Sequence, residues 1–213
     1  MALEGKIAFE TRTNRPYAEH IKPVLDRAGG LVLLILSLPI IAVSALVVRI
    51  RLGSPVLLRQ TRVGKDGEEF TLFKLRTMIP DRRRESRHHD GPERRQVHKS
   101  RDDPRVPAIC RMLRAWRLDE LPQFWNVVRG EMSLVGPRPE LPEIVAHYED
   151  WQHRRHCVRP GITGPWQISD RNGHLMHECI EMDLEYVDHV TFLNDMTLLW
   201  QTPSAMIGRR RGY

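Results

Sequence analysis

The longest apolar stretch of the chain covers residues 31–48 and contains no charged residue. As a straight helix its roughly 18 residues would extend about 27 Å, close to the about 30 Å of a bilayer's hydrocarbon core. Apolar stretches in buried core helices are usually shorter, at about 10 to 14 residues. The pattern therefore favours a membrane-associated helix, and an ordinary core helix is the alternative.

Pro39 lies in the middle of this stretch, and basic residues flank both of its ends. Proline removes a helix hydrogen bond and favours a bend, and the Ser37 hydroxyl is available to the backbone groups freed nearby. A spanning helix would carry one basic flank across the membrane, against the tendency of such flanks to stay in the cytoplasm. We therefore predict a re-entrant helix hairpin within residues 22–52, which enters and leaves the membrane on its cytoplasmic face.

Short β-like runs follow the apolar stretch. Residues 56–58 and 69–73 flank an Asp66-Gly67 step, which is a hairpin signal. Lys74 and Arg76 come next at alternate positions, so an extended strand would point both side chains from one face. This pattern predicts a small β-hairpin whose end can bind one anionic group, although the same spacing is common on solvated strands.

Residues 79–103 are dense in charged side chains and histidine and carry almost no apolar residue. Such a segment cannot build a core, and we predict a charged mobile loop. It lacks the interleaved aromatic residues that stack on bases, so we expect no nucleic-acid partner. The predicted organisation is an N-terminal segment 1–21, a membrane element 22–52, a cytosolic catalytic domain 53–200 and a basic tail 201–213.

Residues 111–128 have apolar side chains at helical spacing, interrupted by Pro122. Because proline is best tolerated in a first helical turn, a second helix is predicted to begin around residues 119–121. Asp119 and Glu120 would then lie at its amino end, where acidic residues are favoured by unpaired amides and by the helix dipole. The dipeptide alone favours this capping role over a catalytic one.

Two proline-rich turns supply further candidates. Arg138 lies between Pro137 and Pro139, which restrict the backbone around it, and a restrained planar guanidinium suits phosphate binding. A second turn occupies residues 159–167 and leads to Arg171.

Composition limits the remaining choices. The 213 residues can bury one core of catalytic size with appendages, and a formal net charge of +6 favours anionic partners such as phosphates or acidic lipids. Three widely spaced cysteines argue against a disulfide framework and for a reducing compartment. The predicted helices and the small β-hairpin place the chain in the α+β class, mostly helical, with a re-entrant membrane helix joined to a compact domain.

The order of these segments resembles the bacterial sugar transferases, which are also called monotopic phosphoglycosyl transferases, in their minimal form. The resemblance covers about residues 20–200 and is too extensive for a chance motif. The matching features are Lys22, Asp26, Arg27, the apolar stretch and residues 60–64, 73–78, 103–105, 113–114, 118–123, 126–130, 132–139 and 159–172.

The resemblance implies a two-step transfer of a sugar phosphate from a nucleotide (UDP-) sugar to polyprenyl (undecaprenyl) phosphate, beginning surface glycan assembly. Asp119 would be the carboxylate nucleophile, forming a phosphosugar-aspartate and releasing UMP. Glu120 would be a ligand of the cofactor Mg²⁺. The family pattern also implies substrate contacts for Lys74, Arg76, Arg114, Arg138, Gln167 and Arg171.

Some residues depart from the family pattern. Leu38 separates Ser37 from the bending Pro39, and Asp170 precedes Arg171 where glycine is usual. An inactive membrane-bound scaffold that binds downstream glycosyltransferases or other glycan-assembly partners is the non-enzyme alternative. Near the carboxyl end, the aromatic and basic residues fit either a membrane-interface surface or a core helix with a charged tail.

Overall fold

The computed structural model describes residues 16–79, 105–169 and 179–208. The described part of the chain is mostly helical with two small sheets, which agrees with the predicted class. The α-helices are α1 (Lys22–Leu52), α2 (Ala108–Ala115), α3 (Phe124–Arg129), α4 (Pro142–Val145), α5 (Pro165–Ile168), α6 (Ile180–Asp188) and α7 (Phe192–Gly208). The strands are β1 (Leu57–Val63), β2 (Glu69–Leu75), β3 (Ser133–Val135) and β4 (Gly161–Thr163). Short 3₁₀ segments cover Lys65–Gly67, Leu118–Gln123 and Asp150–Cys157, and a π-helical turn, Tyr17–Ile21, precedes α1.

Helix α1 is one continuous helix of 31 residues with Pro39 inside it. Together with the preceding turn it is long and apolar enough to cross a membrane, by length and composition. The helix-turn-helix form of a hairpin is therefore not observed, and the path of α1 through a membrane stays a prediction. The Ser37 hydroxyl donates to the carbonyl of Leu34 at 2.9 Å. The carbonyl that Pro39 leaves without its helical donor is that of Ile35, four residues earlier, so the role predicted for Ser37 is not confirmed.

One face of α1 packs on the catalytic domain, and the rest of its surface is apolar and exposed. Its buried residues recur at intervals of four and seven, as expected for one helix face: Lys22, Asp26, Gly30, Ser37, Ser44 and Val48. Val48 packs with Leu75 and Leu113, while Leu36 and Ile50 are 69% and 71% exposed. Apolar exposure on this scale is typical of a lipid-facing surface.

The β-hairpin is confirmed. Strands β1 and β2 are antiparallel, and Leu57 pairs with Leu75 at one end and Val63 with Glu69 at the other. The connection contains the Asp66-Gly67 step, and both residues have positive φ. Both strands extend beyond the β-like runs, because strand pairing also recruits polar residues such as Gln60 and Thr61.

The helical region around the two carboxylates is divided more finely than its periodicity predicts. Helix α2 ends at Ala115, and Arg117 adopts a left-handed conformation with φ 50°. The next helix does begin at the predicted place, but its first part is the 3₁₀ segment Leu118–Gln123 before α3 starts. A tighter first turn accommodates Pro122, which has no amide hydrogen to donate.

Strands β3 and β4 are parallel and bring the two proline-rich turns together. The turns touch through their backbones at Gly136 and Gly161, where a Cβ on Gly161 would collide with the Gly136 amide nitrogen. Only glycine allows this close approach. Contact between the turns therefore depends on residues far apart in the chain.

Helix α7 has both characters that the sequence left open. Leu198 is buried in a cluster with Tyr17 and Val135, whereas Leu193 and Trp200 are 76% and 85% exposed. The helix continues to Gly208, past the predicted start of the tail at residue 201. Residues 80–103 of the predicted charged loop, residues 209–213 of the tail, and Asp170 and Arg171 lie outside the described residues.

Candidate active site

Asp119 and Glu120 lie in the 3₁₀ segment between α2 and α3. The segment begins after Arg117, whose carbonyl accepts a hydrogen bond from the Glu120 amide at 3.1 Å. A left-handed conformation is uncommon for a residue with a long side chain, and such strain concentrates at functional sites. The carboxylates therefore lie at the start of a helix, as predicted, directly after a strained turn.

Glu120 is held by two arginines. Its Oε1 accepts from Nη2 of Arg138 at 2.7 Å, and its Oε2 accepts from Nη1 of Arg117 at 3.2 Å. Burial opposes ionisation of Glu120, but the two guanidinium groups outweigh it and hold the pKa of this carboxyl below its usual value. Glu120 is therefore a permanent anion at neutral pH, and its charge is compensated.

Asp119 is in a different state. It is 8% exposed, and its carboxylate forms no ion pair with any residue in the described part of the chain. Burial, followed by the charge of Glu120, raises the pKa of Asp119 to about 6, and the charges of Lys74 and Arg114 limit the rise. At neutral pH Asp119 is therefore an anion of raised basicity, and its role as the nucleophile stays a prediction.

Lys74, from the end of β2, contributes positive charge near both carboxylates. Burial and the neighbouring Arg62 lower the pKa of Lys74 to about 8. Its interactions with Asp119 and Glu120 place it in the same electrostatic cluster, as the predicted anion-binding role requires. Whether it touches substrate stays a prediction.

Two arginines near the carboxylates, Arg62 and Arg117, were not predicted from the sequence as site residues. Arg62, on β1, donates to the Pro139 carbonyl at 3.0 Å and influences Arg138 and Glu120 through its charge. It lies in one of the family-like motifs, which was the available signal. For Arg117 the signal was its place three residues before Glu120, because residues at this spacing lie on the same face of a helix.

The loop carrying Arg138 is held from both sides. Arg62 binds the Pro139 carbonyl, and Nη2 of Arg155 donates to the carbonyl of Arg138 itself at 2.8 Å. Gly136 continues the β3–β4 pairing by donating to the Thr163 carbonyl at 2.9 Å. The flanking prolines therefore provide only part of the restraint predicted for Arg138.

Arg76 differs from the prediction. Strand β2 ends at Leu75, and Nη2 of Arg76 donates to the carbonyls of Leu52 and Gly53 at 2.6 and 2.9 Å. These are carbonyl groups at the carboxyl end of α1, which lack partners within the helix and attract cations. Arg76 is 8% exposed, so its observed contacts give it a structural role and do not support the predicted substrate contact.

The remaining candidates are less defined. Arg114 is half-buried on α2 and acts on Asp119 through its charge. Gln167 is buried on α5, and no described contact joins it to either carboxylate. Substrate binding by Arg114, Gln167 and Arg171 stays a prediction.

The donor groups fit Mg²⁺, which prefers oxygen ligands and needs only one or two protein carboxylates when phosphates and water complete its shell. Two adjacent carboxylates occur here, and no group of three or more metal-binding side chains is found among the described residues. Each Glu120 oxygen accepts one hydrogen bond and retains a further lone pair. Glu120 is the residue that would hold the ion.

Two adjacent carboxylates among arginine and lysine side chains define a site suited to binding anionic groups such as phosphates. A family model described as "Bacterial sugar transferase" matches residues 17–209, and the chain belongs to this family. The resemblance stated from the motifs is confirmed.

Several curated proteins are similar over most of the chain. "Uncharacterized sugar transferase EpsL" of Bacillus subtilis (strain 168) is 39% identical over 182 residues, 85% of each chain. The "UDP-glucose:undecaprenyl-phosphate glucose-1-phosphate transferase" of Caulobacter vibrioides is 35% identical over 208 residues, which cover 90% of this chain and 72% of the relative. "Exopolysaccharide production protein ExoY" of Rhizobium meliloti (strain 1021) is 33% identical over 213 residues, covering 97% and 94%.

Proposed function

We propose that this protein transfers a sugar-1-phosphate from a UDP-sugar to undecaprenyl phosphate, as the first membrane step of exopolysaccharide assembly. The names of the relatives support the substrate classes. The observation that carries the mechanism is the contrast between the two carboxylates: Glu120 is bound by two arginines, while Asp119 has no ion-pair partner among the described residues.

In the first step, an Asp119 oxygen attacks the phosphorus that bears the sugar. A bond forms between this oxygen and phosphorus, the bond to the bridging diphosphate oxygen breaks, and UMP leaves with that oxygen. In the second step, an oxygen of undecaprenyl phosphate attacks the same phosphorus and Asp119 leaves as a free carboxylate. A covalent intermediate lets one site use a water-soluble donor and a lipid acceptor in turn.

Positive side chains supply the electrostatic part of the mechanism. Arg138 and Lys74 lie beside the carboxylates, where they can bind the donor diphosphate and stabilise the charge that develops on transfer. Bound Mg²⁺ would neutralise charge on the diphosphate and its leaving group. Glu120, held by Arg117 and Arg138, keeps its orientation and its charge before substrate binds.

Helix α1 would bring this site to the membrane. We infer that it enters and leaves the bilayer on the cytoplasmic side, because basic residues flank both ends and its exposed surface is apolar. Labelling of single cysteines introduced at Ala8 and Gly53 tests this path in intact cells and inverted vesicles. Labelling of both from the cytoplasmic side is expected, and labelling from opposite sides would establish a spanning helix.

The reaction is tested with purified protein in nanodiscs, Mg²⁺, undecaprenyl phosphate and a panel of UDP-sugars, by measuring UMP. Asp119→Asn is expected to abolish both UMP release and the phosphosugar adduct. Asp150→Asn, at an exposed carboxyl distant in sequence, is the matched control and should behave as wild type. An adduct retained by Asp119→Asn would refute the nucleophile, and a folded wild-type protein without UMP release from any donor would contradict the proposed reaction.

A further inference from the structure

A buried ion pair lies behind the loop that carries Arg138. Nη2 of Arg155 donates to Oδ2 of Asp183 at 2.6 Å, and the two side chains are 1% and 0% exposed. Nη1 of Arg155 donates to the Tyr148 hydroxyl, also at 2.6 Å. The pair joins the 3₁₀ segment Asp150–Cys157 to helix α6, and neither residue touches the catalytic carboxylates.

The same Nη2 atom has a second acceptor. It donates to the backbone carbonyl of Arg138 at 2.8 Å, while the Arg138 guanidinium binds Glu120 at 2.7 Å. One continuous chain of polar contacts therefore runs from Asp183 through Arg155 and Arg138 to Glu120. Tyr148 and Asp183 hold the Arg155 guanidinium from two directions, so its donor to the Arg138 carbonyl is fixed.

We propose that Arg155, oriented by Asp183, is a positioning residue that fixes the Arg138 backbone and thereby aims the Arg138 guanidinium at the donor diphosphate. A buried ion pair contributes little net stability compared with a well-packed apolar pair of similar size. An apolar pair could not form the charge-assisted hydrogen bond that Arg155 donates to a carbonyl of the active-site loop.

The test replaces the ion pair by an apolar pair, Arg155→Met with Asp183→Leu. This change removes both charges together and avoids leaving one buried and unpaired. We expect folded protein whose kcat/KM for the UDP-sugar, measured by UMP release, is lower by about tenfold to a hundredfold, because small displacements of a binding group have effects of this size. UDP should also bind more weakly in the presence of Mg²⁺.

The chain contains a matched control one residue away. Arg154 and Asp188 join the same two elements, with Nη2 and Oδ1 also 2.6 Å apart, but they are 29% and 31% exposed and have no described contact with Arg138. Arg154→Met with Asp188→Leu should therefore keep kcat/KM within about twofold of wild type. An equal loss in both double variants would overturn the positioning role.

A double-mutant cycle separates positioning from general structural support. If Arg155 acts through Arg138, the apolar pair should cause a further loss of less than about twofold in an Arg138→Ala background. The same loss in both backgrounds, or wild-type kinetics of the apolar pair, would overturn the proposal. If the apolar pair does not fold, Arg155→Gln with Asp183→Asn tests the same contact, because glutamine is shorter than arginine and leaves the Arg138 carbonyl without its donor.

The inference rests on the proposed function, and its failure can be distinguished from failure of that function. Turnover by wild-type protein with an additive cycle rejects only the positioning role. Absence of turnover by folded wild-type protein with every UDP-sugar rejects the reaction. The cycle measured on UDP affinity then still decides whether Arg155 acts through Arg138.

Discussion

Asp119 and Glu120 are neighbours in the chain, but the surrounding side chains compensate their negative charges to different extents. Two arginines compensate Glu120, whereas Asp119 is buried beside that charge and its pKa rises to about 6. The difference between these environments supports the proposed roles, because a compensated carboxylate is a poor nucleophile and an uncompensated one is reactive.

The rate of UMP release should have a bell-shaped dependence on pH. Asp119 must be ionised to attack, so the rate should fall as the pH drops through about 6, because more Asp119 is then protonated. Lys74 has its pKa lowered to about 8 and contributes only while charged, so the rate should also fall as the pH rises through about 8. A profile of kcat/KM against pH in saturating Mg²⁺ measures both limbs.

Lys74→Arg identifies the alkaline limb. A guanidinium stays charged throughout this range, so the alkaline limb should move to higher pH while the acidic limb remains near its position. Lys65→Arg, at a partly exposed lysine, is the control and should change neither limb. An alkaline limb unchanged by Lys74→Arg would remove Lys74 from the reaction.

At the scale of single elements, the carboxyl end of α1 is joined to the end of β2 by Arg76. Its guanidinium donates to the carbonyls of Leu52 and Gly53, so α1 and the β-hairpin are connected by a buried cation. Helix ends leave several carbonyl groups without partners, and a charged donor there is stabilising. Because strand β2 ends at Leu75, Arg76 lies just outside the strand, and this residue of a family-like motif therefore has a structural role.

Arg76→Met should lower the free energy of unfolding by about 2 to 3 kcal/mol, because hydrogen bonds from a charged donor are lost. The KM for the UDP-sugar should stay within about twofold of wild type. Thermal unfolding in detergent and steady-state kinetics measure the two effects. Arg59→Met, at an exposed position on β1, is the control with little expected effect on either. A raised KM with unchanged stability would restore the substrate contact predicted from sequence.

In the whole molecule, a buried polar network joins helix α1 to the catalytic domain. Asp195 on α7 accepts from the Tyr17 hydroxyl at 2.7 Å, from Nζ of Lys22 at 2.6 Å and from the Tyr186 hydroxyl at 2.7 Å. One turn further along α1, Asp26 accepts from the Ser133 hydroxyl at 2.7 Å and so contacts the strand that leads to the Arg138 loop. The membrane element is thus attached close to the site it would serve.

Asp195→Ala should destabilise the protein by about 3 to 5 kcal/mol, because Lys22 would remain buried without its closest anion. The loss should appear as a lower thermal unfolding midpoint in nanodiscs. Asp188→Ala removes an ion pair of the same length at a partly exposed place and should cost no more than about 1 kcal/mol. Equal midpoints for the two variants would show that the network does not hold α1 to the domain.

Local patterns in the sequence determined the apolar helix, the β-hairpin and the helix start at the two carboxylates. Each depends on residues close together in the chain: the uncharged stretch 31–48, the Asp66-Gly67 step, and Pro122 after the carboxylates. The family resemblance identified Asp119, Glu120 and Arg138 as a group, although the dipeptide alone favoured a capping role.

Only the tertiary structure decided what each charge contacts. Arg76 binds the end of α1 and not the predicted anion site, while Arg62 and Arg155 bind carbonyls of the loop that carries Arg138. These contacts join residues up to 77 positions apart, as between Arg62 and Pro139. Hydrophobic periodicity and secondary-structure propensity depend on residues that are close together in the chain. The energy of a buried charge depends instead on the distant groups that surround it, and tertiary packing decides which groups those are.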